Sequence, residues 1–193
     1  MGFIKGIFTF IGLIVVGAMV FAFVKFGTPV MALDSKAMGL YMKMFGGVLE
    51  TGKSADAMSL KVKVNDDVTN EDIKDIIESF ASDGNMALVG DVTIFDGSPI
   101  DDSGAPTRYA RTFSLCSRPI AQKFLNYSMA MGAFMPCRIM LQEDENGDRW
   151  LNTMDMDLMI HGGQTLTPEL LKMAKQVRDT VYGAMYAAAK GDF

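Results

Sequence analysis

Histidine occurs once, at His161, tryptophan once, at Trp150, and cysteine twice, at Cys116 and Cys137. One imidazole and two thiols outside any CxxC or CxxCH arrangement leave no zinc ribbon, no thioredoxin-type redox pair and no c-type haem attachment site. No GxSxG, P-loop, GxGxxG or HExxH run is present, so hydrolase, nucleotide-binding and metalloprotease assignments lack a motif. Cations are few and scattered: 18 Lys and Arg against 23 Asp and Glu give a net charge of −5. A phosphate backbone is held by clustered cations, so a nucleic-acid partner is not expected.

A long hydrophobic run is present. From Ile7 to Val24 no charge interrupts the chain, and at about 1.5 Å of helical rise per residue it spans roughly 27 Å, close to a bilayer's hydrocarbon core. Lys5 and Lys25 bracket it as snorkelling residues would, and Gly27, Thr28 and Pro29 are placed to end the helix. Val30-Met31-Ala32 offers a competing signal-peptide cleavage site, but the apolar stretch is longer than an ordinary signal core, which favours a retained anchor. Lys25, Lys36 and Lys43 after the helix put the domain in the cytoplasm by the positive-inside rule. The signal-like start argues for the outer side, and the periplasmic face of a bacterial inner membrane is the reading taken.

Three segments follow from this. Residues 1–33 form a transmembrane anchor, 34–56 an amphipathic connecting segment, and 57–193 one α+β domain. Met38, Tyr41, Met42 and Phe45 lie in the connecting segment among few charges and are interface candidates, because apolar patches of that kind mark contact sites. Thr51 to Asp56 reads as a linker.

Within the domain, Leu60-Lys61-Val62-Lys63-Val64 alternates with period two and predicts a half-buried strand. Thr69 followed by Asp72 suggests a capping box, with Ile73, Ile76, Ile77 and Phe80 on one helix face up to Gly84. Strands are expected at 86–95 and 108–116, separated by a loop containing Gly97, Pro99, Gly104 and Pro106. Ser117 is placed to cap the next helix, with Ile120, Ala121, Phe124 and Leu125 facing inward. Residues 137–142 and 149–154 form a hairpin whose Asn146-Gly147 pair supplies positive φ values. Thr167 caps a last long helix with Pro168 in its first turn, its inner stripe being Leu170, Ala174, Val177, Val181 and Met185. The expected fold is a small, mostly antiparallel sheet covered by helices on one face, preceded by one transmembrane helix.

Phe113-Ser114-Leu115-Cys116, Phe134-Met135-Pro136-Cys137-Arg138-Ile139, Glu143-Asp144 with Gly147, Trp150-Leu151, and Met154 to Ile160 resemble the domain-of-unknown-function 302 family over roughly residues 57–190. The resemblance implies a small α+β domain that tends to pair into dimers, often in secreted or envelope proteins. It implies no established reaction, and therefore no catalytic residues.

The remaining chemistry concerns sulfur. Cys116 closes one strand and Cys137 opens another; a bridge between them, inert buried thiols and metal ligation are the alternatives, and a bridge closing about 20 residues contributes about 3 kcal/mol on the loop-entropy account. Seventeen methionines are present. Met156, Met159, Cys137 and His161 are candidate metal ligands, since thioether, thiolate and imidazole suit Cu(I) or haem iron. Packing competes with that reading, because Met fills cores readily and alternation alone would send Met154 and Met156 to one strand face. His161, before Gly162-Gly163, reads as a residue near a turn, and Asp155 and Asp157 as helix-capping groups. The Asp144 to Asp148 stretch lacks the glycine and glutamate positions of a calcium loop and reads as a turn.

The sequence thus favours a non-catalytic, membrane-anchored accessory or interaction subunit over an enzyme. Its expected partners are the bilayer, other subunits of a membrane assembly and a second copy. It needs no cofactor, and a copper- or haem-handling protein is the alternative. The protein is expected to keep its first 26 residues and to stay with membranes through a carbonate wash; Edman sequencing that found Leu33 first would refute this.

Overall fold

The computed structural model describes residues 2–100 and 104–192. Helix α1 (Gly2–Met31) comes first, and the apolar side chains described along it are exposed. Its stretch Thr9–Gly27, with mean hydropathy 2.3, is long and apolar enough to cross a membrane. The helix runs through Gly27, Thr28 and Pro29, where the sequence suggested a stop, and ends at Met31. Pro29 falls in the last turn, where a missing N–H frees one carbonyl instead of breaking a run of bonds. Helix α2 (Ala37–Thr51) follows, ending at Gly52 in the left-handed conformation. The expected linker after it is partly helical: α3 (Ser54–Ala57) packs back on α2, where a side chain on Gly47 would meet the Ala57 Cβ at 3.1 Å.

The domain is an α+β fold. Its strands are β1 (Ser59–Lys63), β2 (Ala87–Phe95), β3 (Ala110–Cys116), β4 (Cys137–Glu143) and β5 (Arg149–Met154). They form one antiparallel sheet in the order β1-β5-β4-β3-β2. Helices α4 (Asn70–Asp83) and α7 (Pro168–Lys190) pack on each other and on one face of it. Between β3 and β4 run α5 (Arg118–Tyr127) and a 3-10 helix (Met129–Phe134), and α6 (Met156–His161) follows β5.

Strand alternation decides which residues meet the helices. Phe113, Leu115, Ile139, Leu141 and Leu151 point inward and are fully buried, against Ile73, Ile76 and Ile77 of α4 and Val181, Ala184 and Met185 of α7. The opposite face is open, with Lys61, Arg138 and Gln142 exposed on it. One register row crosses that face as Val92, Thr112, Met140, Asn152 and Lys61. Lys61 Nζ sits 4.2 Å from the Trp150 ring centre, and Trp150 Nε1 donates to Asp144 Oδ2 at 2.9 Å.

Local signals hold where they rest on neighbours in sequence. Thr69 and Asp72 cap α4 reciprocally, and Thr167 Oγ1 accepts from Leu170 N at the start of α7. Of the Asn146-Gly147 pair only Gly147 takes a positive φ, 82°, because Asp144 turns the chain by accepting from Asn146 N and Asp148 N. Two expectations fail around α5. Ser117 occupies the N-cap position but its hydroxyl makes no cap bond, and Leu125 is exposed instead of inward, since only Phe124 of that turn reaches the core.

Gly84, where α4 ends, has φ −79°, so its role is steric. A Cβ there would lie 2.3 Å from Thr180 Oγ1 and 2.4 Å from Thr180 Cγ2. Gly84→Ala should therefore destabilise the protein by about 1–3 kcal/mol through overpacking. Thr180→Ala in the same chain should recover most of that loss, as read from urea unfolding midpoints.

Candidate functional site

The end of β5 shows how the chain builds its most unusual region. Asp155 caps α6, accepting from Asp157 N at 3.0 Å, and this turn takes the chain off the sheet. Met154 therefore stays on the strand while Met156 enters the core, 4% exposed, so the two do not share a face as simple alternation suggested. The Met156 N–H donates to Tyr182 Oη at 2.8 Å, and burial pushes the Tyr182 hydroxyl up to about 12. Arg178 donates to Asp157 at 2.7 Å, tying α6 to α7.

Behind Met156 lies a partly open chamber at the end of the sheet, with a volume of about 70 Å³. Met86, Met131, Met135, Met156 and Met159 line it, together with Cys116, Cys137, Phe124 and Phe134. Its walls come from the ends of β3 and β4, from α5, the 3-10 helix, α6 and α7. Among the described residues no acidic, basic or imidazole side chain lines it. A second hollow of about 120 Å³ adjoins it, sharing Phe134, Pro136, Cys137 and Met156 and adding Arg138, Thr153 and Met154.

Three of the four sequence-predicted metal ligands, Cys137, Met156 and Met159, thus come together. Cys116 joins them, and both cysteines are free thiols. Burial, helped by the neighbouring Cys116, pushes the Cys137 thiol up to about 11, so at neutral pH it is a protonated, weakly reactive group. Among the described residues no group of three or more His, Cys, Asp or Glu side chains is arranged to hold a metal ion.

His161 is elsewhere. It closes α6, buried at 4% exposure, and is neither a loop residue nor part of the chamber. Its Nδ1 lies 3.0 Å from Asp34 Oδ2, across 127 residues of sequence, while its Nε2 is buried with no partner among the described residues. With the proton on Nδ1, the ring donates to the carboxylate and leaves only a lone pair unsatisfied, which costs less than an orphaned N–H. Asp34 also accepts from Lys36 N at 2.9 Å and donates its own N–H to Gly163 O at 2.9 Å. Leu33 bridges to Gln164, and the Tyr41 hydroxyl donates to Gly162 O at 2.7 Å. These contacts clasp the segment between α1 and α2 to the end of α6. Sequence reasoning had no local signal for them, because neither partner sits in a motif.

Helix α2 shows the fate of the interface candidates. Tyr41 is turned to the clasp, whereas Met38, Met42 and Phe45 are exposed at 60%, 61% and 57%. Leu49, 71% exposed, extends the same stripe one turn further. The other side of α2 packs on α3 and α6.

Residues 61–188 match the family described as "Domain of unknown function DUF302". No curated protein matches the chain. Among solved structures, the chain resembles an uncharacterized conserved protein, DUF302, from Bacillus stearothermophilus. The two are 13% identical, with a TM-score of 0.52 over 68% of this chain and 98% of that one, a likeness of fold alone. The chamber lies inside the matched region, whereas Asp34 and the exposed stripe of α2 lie before it.

Hydrogen bonds from Lys36 N and His161 hold the Asp34 carboxyl below its ordinary value of 3.8. A depressed carboxylate contributes stability that is present above the ordinary value and lost as pH falls through the folded one. Asp34→Asn should thus lower the urea midpoint at neutral pH. Titration below pH 3.8 should close the gap to the parent protein.

Proposed function

The chain belongs to the DUF302 family, and we propose that it is a non-catalytic, single-pass membrane-anchored module, an accessory subunit that pairs with its own kind or with neighbouring membrane proteins. In this reading α1 is the anchor, and the domain stands on the periplasmic side of a bacterial inner membrane. The apolar side chains along α1, exposed on the isolated chain, find their solvent in lipid.

The observation that carries the proposal is the uncovered stripe Met38, Met42, Phe45 and Leu49 on a helix whose other side is packed. Such a stripe, at the spacing of a single helix face, is a helix-docking surface. Methionine suits it, being flexible enough to fit more than one partner surface. Confinement to the plane of a membrane raises the effective concentration of any partner, so a contact of this size suffices. The clasp at Asp34 and His161 supports the reading further, because it holds α2 at a set position relative to both anchor and domain.

The test is a pair of charge substitutions, Met42→Glu with Phe45→Glu, in the full-length protein extracted in mild detergent. The expected result is conversion of a larger assembly to monomer, with the unfolding free energy changed by no more than about 0.5 kcal/mol, as for an exposed site. A parent protein that is already monomeric at native abundance, with nothing co-purifying, overturns the proposal. So does an assembly that survives both charges, the result expected if the stripe merely lies against lipid headgroups.

A further inference from the structure

The chamber behind Met156 has no part in that interaction reading, and its chemistry is selective. It offers no charge, and the polar side-chain groups among its lining residues are the Ser117 hydroxyl and two thiols. The thiol of Cys137 is held neutral by burial. Whatever enters must be neutral and apolar over the length that enters, because a polar group would lose its water with nothing in return.

Shape and composition narrow the ligand further. A volume of about 70 Å³, open on one side, takes only the tip of a molecule. Five methionines form much of the wall, and their unbranched, flexible thioether side chains can close around a slender guest. Outside the chamber, Leu125, Met129 and Phe134 are exposed at 42%, 89% and 44%, extending an apolar surface from the wall into solvent. In the adjoining hollow stands Arg138, whose guanidinium makes no ion pair among the described residues. An unpaired arginine beside an apolar slot is the recognition pattern for an amphiphile with a negative head.

We propose that the chamber binds the end of an unbranched acyl chain carried by an anionic amphiphile, whose head is met by Arg138. The inference is independent of what covers α2. It draws on α1 only for its source of ligand, because a domain held at a bilayer has acyl chains within reach. A free fatty acid and an anionic phospholipid share this chemistry.

The experiment uses the full-length protein in phosphatidylcholine nanodiscs. One arm carries a trace of decanoic acid with a terminal diazirine, the other a phosphatidylglycerol bearing the same group at the end of one chain. After photolysis, peptides are mapped by mass spectrometry. Adducts on α1 report contact with the nanodisc's lipid and serve as the internal standard. The expected result is additional, saturable labelling of residues 118–137 in one arm or both, and the labelled arm identifies the source. Ala121→Phe, which fills the chamber from half-exposed α5, should lower that labelling about tenfold relative to α1. Arg138→Gln should weaken labelling by the acid about tenfold while leaving a diazirine decanol of equal length unaffected, a comparison that does not depend on packing. Labelling confined to α1 and α2 in both arms overturns the proposal. It is equally overturned by chamber labelling that Ala121→Phe leaves intact, or by acid and alcohol responding alike to Arg138→Gln.

Discussion

Two helices cover one face of a five-stranded sheet, and most of the rest follows from where they reach. Phe113, Leu115, Ile139, Leu141 and Leu151 are fully buried because α4 and α7 cross them with large aliphatic residues. Helices brought this close need a small residue where they meet, and Gly84 against Thr180 is that point. Arg111 fastens the same layer from the sheet side. It donates to Asp91 at 2.7 and 2.8 Å and to Glu71 of α4 at 2.8 Å, with its guanidinium 5.2 Å from the Phe113 ring centre.

The end of the sheet at Cys116 and Cys137 is closed differently. Short elements take over there: α5, a 3-10 helix and α6, none longer than ten residues. Short helices offer fewer side chains to interdigitate than two long ones do, and flexible methionines fill the irregular gaps between them. The chamber and its sulfur-rich wall are therefore a consequence of how the fold ends, and need not reflect a ligand set selected for metal. Three of the four proposed donors converge there, but the imidazole is engaged elsewhere.

How much of this was legible in the sequence depends on the distance between the residues involved. The Thr69–Asp72 box, the Thr167 cap with Pro168, the Asn146-Gly147 turn and the period of β1 are each decided within a few residues, and each was readable. The α+β class followed from their order. Pairing of β1 with β5 and the meeting of Asp34 with His161 are decided by the whole chain, and no local pattern announces them. The misreadings are instructive for the same reason. Ser117 and Leu125 have the right residue type at the right spacing, yet the packing of α5 uses neither in the expected way. Strand alternation places Met156 on the same face as Met154, but it stops applying once Asp155 turns the chain into α6.

The clasp at Asp34 has a mechanical consequence. A flexible tether after α1 would let the domain swivel freely and average its orientation. Here five residues separate α1 from α2, and within them lie a strand-like bridge from Leu33 to Gln164, the Asp34–His161 pair and a backbone bond to Gly163. Little free chain is left between the end of α1 and its first fixed contact at Leu33, so a swivel of α1 against α6 has few backbone bonds in which to be taken up.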